Sequence, residues 1–192
     1  MKIKVSDAIA DFLEEKQIKH VFGIVGAGNV HIFDSIRNKG YTEIICVHHE
    51  QAATMAMQIY YRTSGKMTAA ILTTGGGSTN GVTGVVSAWA DSIPGLIISG
   101  NENSKYMAET EPHLRMWGVQ GYDSSAMVEK VTKYASRVFN PDETISELEK
   151  HYQIALSGRP GPCWVDIPMN IQAAFIAPPS GLVKQHVSEE KI

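Results

Sequence analysis

Residues 68–80 read Thr-Ala-Ala-Ile-Leu-Thr-Thr-Gly-Gly-Gly-Ser-Thr-Asn, an apolar run that leads directly into a glycine-rich turn. The run over residues 68–73 predicts a buried strand, because it is short and continuous rather than alternating. Residues 80–91, which are rich in small side chains, predict a helix after the turn. A buried strand followed by a turn and a helix is the repeating unit of an α/β fold.

The same unit recurs along the chain. A first helix is predicted behind Ser6, which has the residue type of an N-cap, and a late one behind Asn140-Pro141. Other helices are predicted around residues 32–36 and at 50–63, and other buried strands at 21–25, 44–47, 96–98, 133–138 and 163–167. These segments predict an α/β fold: a single three-layer domain, in which a mostly parallel sheet of about six strands carries helices on both faces.

The chain divides into one folded part and a short tail. We expect residues 1–176 to form the domain and residues 177–192 to be an extended or disordered tail, which contains Pro-Pro-Ser-Gly at residues 178–181 and continues with mixed charge. Residues 99–123 lack a clear hydrophobic period and predict a long loop with a short helix.

Composition excludes several classes of protein. The 192 residues are 43% hydrophobic and 19% charged, which suits one globular domain. The sequence has 17 Lys and Arg against 20 Asp and Glu, and it contains no cluster of basic residues. A nucleic-acid partner is therefore not expected. The sequence shows no apolar run long enough for a bilayer and no secretory signal, so we expect a cytoplasmic protein. Cys46 and Cys163 lie in apolar runs and are predicted to be buried.

Three turns follow predicted strands: Gly26-Ala27-Gly28-Asn29, His48-His49-Glu50, and residues 73–80. Ligands of open parallel sheets bind beyond the carboxyl ends of the strands, so these turns hold the candidate site. Familiar motifs do not fit them. The His-Glu pair lacks the second His of a zinc protease, and the glycine run lacks the Lys of a Walker loop. Asn80 stands where a nucleophile elbow or a dinucleotide fingerprint requires glycine.

Glu50 is the most informative acid in these turns. A Glu in a first helical turn often only complements the helix dipole. Here it follows a buried strand and precedes small residues that allow close approach of another surface, so a partly buried carboxylate at this place could also bond a ring nitrogen. His48 and His49 point in different directions, and each is predicted to be a packed core group. The Gly75 turn fits an anion-binding nest and a simple tight turn equally well.

Six blocks of sequence together resemble the pyrimidine-binding (PYR) domain of thiamine diphosphate-dependent enzymes, in particular those of the acetolactate synthase group. The resemblance extends to about Gln172. The blocks are residues 21–26, 48–52, 73–80, 91–94, 118–120, and 158–162 with 166–168.

The resemblance implies roles for particular residues. Glu50 would hydrogen-bond N1′ of the aminopyrimidine and thereby activate the cofactor for attack on a 2-oxo acid. Gln120 would lie on the substrate side. The other cofactor-binding residues implied are Ile24, Val25 and Gly26 in one loop, and Thr73, Gly76 and Asn80 in a second. No metal ligand is expected in this chain.

Four positions depart from the family pattern. Val25 and Gly76 stand where the family usually has proline, Gly121 where it often has glutamate, and Asn101 where it commonly has glutamine. Loss of two prolines predicts looser cofactor loops, because proline restricts competing backbone conformations.

The family also needs a diphosphate-binding (PP) domain with a Gly-Asp-Gly…Asn-Asn motif, which holds magnesium and the diphosphate. This sequence contains neither part of that motif. We therefore expect the PYR-domain subunit of a split 2-oxo acid decarboxylase or carboligase, in a homo- or hetero-oligomer with a PP-domain subunit. A cloned fragment of a longer chain is the competing explanation. Alternatives for function are a non-catalytic or regulatory homologue used in assembly and a Rossmann-like nucleotide-binding module.

Overall fold

The structure is a computed structural model that describes residues 2–107, 111 and 113–179. Eight strands and eight α-helices lie within these residues. The strands are β1 (Ile3–Lys4), β2 (His20–Gly23), β3 (Glu43–Cys46), β4 (Ala69–Leu72), β5 (Gly95–Asn101), β6 (Tyr134–Arg137), β7 (Pro162–Pro168) and β8 (Phe175–Ile176). The helices are α1 (Val5–Glu15), α2 (Val30–Lys39), α3 (Glu50–Ser64), α4 (Gly76–Asn80), α5 (Val82–Ala90), α6 (Ser124–Val128), α7 (Thr144–Leu156) and α8 (Met169–Ala173).

Six strands form one parallel sheet in the order β3-β2-β4-β5-β7-β6. The central strands β4, β5 and β7 are buried along their whole length, whereas β3 and β6 lie at the edges and are only partly covered. The two remaining strands, β1 and β8, form a separate antiparallel pair. The predicted parallel sheet of about six strands is confirmed.

Helices cover both faces of the sheet because successive strand residues point to opposite sides. Ile71 and Ile98 pack with α1, α2, α7 and α8 in one apolar cluster. Leu72, Ile97 and Trp164 pack with α3, α5 and α6 in a second cluster on the other face. The chain is therefore the three-layer α/β domain that the sequence predicts.

Two predicted helix starts are wrong. Ser6 is not an N-cap: α1 already begins at Val5, and the buried Ser6 hydroxyl accepts a hydrogen bond from Ser35 Oγ at 2.8 Å. The helix predicted over residues 80–91 begins earlier, as α4 at Gly76, and restarts as α5 at Val82. By contrast, Asn140 Oδ1 accepts from the Asp142 amide at the start of the short 3₁₀ turn that leads into α7, as expected.

Part of the predicted tail, residues 180–192, lies outside the described residues, and residues 177–179 form neither helix nor strand. The division at residue 176 therefore stays a prediction. No helix in the described part of the chain combines the length and the hydropathy needed to cross a membrane.

The two cysteines have opposite environments. Cys163 is buried in β7 as predicted, and burial raises the pKa of its thiol to about 12. The prediction is wrong for Cys46, which is exposed. Its apolar run forms the edge strand β3, where only one neighbouring strand covers the chain.

We expect a thiol reagent such as Ellman's reagent to label Cys46 in the native protein and to reach Cys163 only after unfolding, because the thiolate is the reactive form. Native Cys46→Ser protein should therefore release almost no chromophore, while Cys163→Ser protein should react like the wild type. Wild-type labelling kinetics in native Cys46→Ser protein would contradict this assignment.

Candidate functional site

The order of the sheet brings the three candidate turns together. Strands β3, β2 and β4 are neighbours and run in the same direction, so the turns after Cys46, Gly23 and Leu72 leave from one edge. The carboxyl end of β5 follows at the same edge. The candidate residues thus lie where parallel sheets usually bind ligands.

Glu50 begins α3 and is only 7% exposed. Its Oε2 accepts a hydrogen bond from Asn80 Nδ2 at 3.0 Å. Within the described residues, no donor bonds the other oxygen, Oε1. One carboxylate oxygen is therefore fixed by the neighbouring turn, and the second is available to a ligand.

Glycine backbone lies against the free oxygen of Glu50. A Cβ added at Gly77 would lie 2.9 Å from Glu50 Oε1 and 2.5 Å from Thr73 Cγ2, so a side chain there would displace both. At the next position back, Gly76, an added Cβ would meet no atom within 4 Å. The surface beside the carboxylate is thus bare backbone, partly open to solvent.

The loop after β2 is tied by Asn29, a residue that is fully buried. The Gly26 amide donates to Asn29 Oδ1 at 2.8 Å, and Asn29 Nδ2 donates to the Ile24 carbonyl at 3.1 Å. A Cβ at Gly26 would lie 2.3 Å from Thr73 Oγ1, so this loop touches the turn after β4. Although no proline stands at Val25, a buried side chain restrains the loop from within.

Val25 points partly to solvent, with 54% of its surface exposed. It lines a groove of about 580 Å³ between α2 and β3. That groove includes none of Glu50, Thr73 and Asn80 in its lining. Val25 therefore belongs to the loop near the site but also to a second surface.

Gln120 joins the same region through Gly75, which adopts a left-handed φ of 63° immediately before α4. A Cβ at Gly75 would lie 2.3 Å from Gln120 Oε1 and 2.4 Å from its Cβ. The Gln120 side chain therefore covers the Gly75 backbone.

A buried ion pair lies behind the Gln120 segment. Arg137 Nε donates to Asp166 Oδ2 at 2.8 Å, and the two side chains are 5% and 0% exposed. Burial raises the pKa of Asp166 to about 7, against the opposing effects of Arg137 and Asn101.

The structure thus brings Ile24, Gly26, Glu50, Thr73, Gly76, Asn80 and Gln120 to one edge of the sheet. His48 and His49 are exposed, so their prediction as core groups is wrong. His49 instead caps α3, because its Nδ1 accepts a hydrogen bond from the Gln51 amide at 3.2 Å. Sequence reasoning missed Asn29 and Gly77, although each stands inside a glycine turn that it had singled out.

Comparison with known proteins gives the family. Residues 3–127 match the family described as thiamine pyrophosphate enzyme, N-terminal TPP binding domain. The chain therefore belongs to this family of N-terminal TPP binding domains.

Within the family the chain is similar to acetolactate synthase large subunits. That of Haemophilus influenzae is 34% identical over 167 residues, which cover 87% of this chain and 28% of the relative. The probable large subunit of Methanocaldococcus jannaschii is 30% identical over 170 residues, which cover 88% of this chain and 27% of the relative. The large subunit of Lactococcus lactis is 28% identical over 189 residues, which cover 96% of this chain and 32% of the relative. The chain spans between about a quarter and a third of the length of these relatives.

The residues at the edge of the sheet fit the aminopyrimidine part of thiamine diphosphate. A buried carboxylate with one free oxygen can accept a hydrogen bond from a protonated ring nitrogen, and bare glycine backbone lets a flat ring approach closely. For a metal the fit is poor, because no group of three His, Cys, Asp or Glu side chains gathers within the described ranges.

The two neighbouring glycines of α4 offer a matched test of the packing around Glu50. Gly77→Ala should destabilise the protein by about 1–3 kcal/mol, since the methyl group must displace Thr73 and Glu50. Gly76→Ala meets open space and should be neutral or stabilising by up to about 1 kcal/mol. Urea unfolding measures both free energies, and equal values for the two variants would contradict the geometry.

Proposed function

We propose that this chain is the PYR-domain subunit of a thiamine diphosphate-dependent enzyme that decarboxylates a 2-oxo acid, and that Glu50 activates the cofactor. The products would be an aldehyde or, as in an acetolactate synthase-like carboligase, an acyl unit joined to a second carbonyl. The observation that carries the proposal is the buried Glu50 carboxylate, which Asn80 fixes through one oxygen while the other stays free.

Thiamine diphosphate, when bound, supplies a nucleophilic carbon for the substrate carbonyl and accepts the electron pair left behind by carbon dioxide. The task of Glu50 is to hold a proton at the pyrimidine nitrogen N1′. Its low exposure strengthens that hydrogen bond, because little water competes for the carboxylate. Asn80 keeps the carboxylate in one orientation by donating to Oε2.

Other residues of this chain would bind the cofactor and orient it relative to the substrate. Ile24 and Gly26 would pack on the pyrimidine side of the cofactor, together with Val25 in the same loop. Thr73, Gly76 and Asn80 would face it from the second turn. Gln120, which lies over Gly75, would contact the substrate.

We further propose that a separate PP-domain subunit, which carries Gly-Asp-Gly…Asn-Asn, binds magnesium and the diphosphate and closes the site. Gly76, Asn80 and Gln120 are exposed, so a covering surface is needed to exclude water from the reaction. The adjacent helices α3 and α5 also expose large apolar side chains, a feature typical of protein interfaces. These side chains are Met55, Ile59, Val86 and Trp89.

The cytoplasmic location stays a prediction.

A second candidate is a non-catalytic homologue that keeps the PYR fold for assembly. Val25 and Gly76, which replace the usual prolines of the family, favour it. Titration calorimetry of thiamine diphosphate and magnesium into the assembled complex separates the two candidates. Saturable heat that disappears in the absence of magnesium supports the catalytic role, whereas the assembly role predicts no cofactor heat.

Replacing Glu50 tests the catalytic proposal directly. In the complex with the PP-domain subunit, Glu50→Gln should lower cofactor-dependent carbon dioxide release from pyruvate by about 100-fold or more, the usual scale for loss of a proton-transfer group. The exposed Glu129 offers a matched control, because Glu129→Gln makes the same chemical change away from the site. Full turnover by a folded Glu50→Gln complex would sink the assignment.

A further inference from the structure

The segment that carries Gln120 has little structure of its own. We call residues 117–122 the Gln120 loop. Three of its six residues are exposed, Val119 to 80%, and its internal pairing consists of an isolated bridge between Trp117 and Gly121 and a bond from the Tyr122 amide to the Gln120 carbonyl. The Trp117 ring packs edge-on against the Tyr106 ring, and polar bonds tie the other end of the Gln120 loop to the sheet.

Those bonds converge at the end of the loop. The carbonyl of Tyr122 accepts side-chain hydrogen bonds from Arg137 Nη2 at 2.7 Å and from Asn101 Nδ2 at 3.1 Å. Arg137 Nη2 also lies 3.1 Å from Asp123 Oδ1. Two strands of the sheet, β5 and β6, therefore hold the same turn of backbone.

Arg137 is itself held in one orientation. Its Nε donates to Asp166 Oδ2, and the same carboxylate oxygen accepts from Asn101. Asp166 is fully buried in the central strand β7. One carboxylate oxygen thus aligns both of the side chains that bind the Tyr122 carbonyl.

We propose that Arg137 is a positioning residue, which holds the Gln120 loop against Gly75 by binding the Tyr122 carbonyl and the Asp123 carboxylate. The contribution of the loop to substrate binding rests on the function proposed above for Gln120. The positioning itself rests on the hydrogen bonds described above and does not depend on that function.

The planar guanidinium is essential to this role. Its Nε donates to Asp166 while Nη2 donates to the Tyr122 carbonyl of the loop, so one rigid group links the sheet to the loop. A lysine ammonium is a compact charge on a flexible chain, so it cannot make both hydrogen bonds in the same fixed geometry. Arg137→Lys retains the positive charge beside Asp166, which protects the fold, but it loses the bridge.

Hydrogen–deuterium exchange of the full chain tests the positioning role. The Val119 amide donates to Glu102 and the Tyr122 amide to the Gln120 carbonyl, so both report on the loop. In Arg137→Lys, peptides covering residues 117–122 should exchange about tenfold faster, the factor expected for loss of one charge-assisted bond. Arg62→Lys makes the same change at an exposed ion pair and should leave the loop unaffected.

Asp123→Asn is the second variant, because it removes only the charge facing Arg137 and keeps an N-cap residue for α6. It should accelerate loop exchange about threefold, less than Arg137→Lys. If both variants fold, unchanged loop exchange in both would overturn the positioning role. If Arg137→Lys does not fold, unchanged loop exchange in Asp123→Asn would be enough to overturn it.

Turnover of the assembled complex adds a second readout. Arg137→Lys should raise the KM for pyruvate by several-fold while the affinity for thiamine diphosphate, measured by calorimetry, stays at the wild-type value. A changed KM without faster loop exchange would count against positioning. A wild-type complex without any turnover would refute the proposed function, and the rate of loop exchange would still decide whether Arg137 positions the loop.

Discussion

The arrangement at the edge of the sheet depends on the hydrogen bond between Asn80 and Glu50. The two residues are 30 positions apart, Glu50 at the start of α3 and Asn80 at the end of α4, so this bond joins the segments that follow β3 and β4. A carboxylate with so little exposure needs such a partner, because burial without hydrogen bonds is costly. The parallel order β3-β2-β4 brings the two turns within reach, and the glycine at position 77 leaves room for the carboxylate.

Much of the fold could be predicted from the sequence, because continuous apolar runs mark strands that are covered on both faces. The same rule failed at Cys46, since hydrophobicity alone does not tell an edge strand from a central one. It also missed the start of α4, because a glycine-rich stretch has low helix propensity and tertiary packing decides its conformation. Glu50 was found because of its residue type and its place after a strand.

Other site residues could not be found from the sequence because their partners are distant along the chain or are backbone atoms. Arg137 bonds a side chain 29 positions away and a carbonyl 15 positions away, and no motif encodes either contact. Asn29 acts wholly through main-chain groups of its own loop. The glycines also differ in purpose: Gly26 and Gly77 allow close approach, whereas Gly40 and Gly65 end α2 and α3 in left-handed conformations.

The small antiparallel pair of β1 and β8 places Ile3 directly beside Ile176, and the Val5 amide bonds the Ala174 carbonyl next to it. The first and the last strand within the described residues therefore lie side by side. Chain that precedes Ile3 and chain that follows Ile176 therefore start from neighbouring positions. Such geometry suits circular permutation and insertion into larger proteins, and it lets one domain be recombined with different neighbours while its own core stays the same.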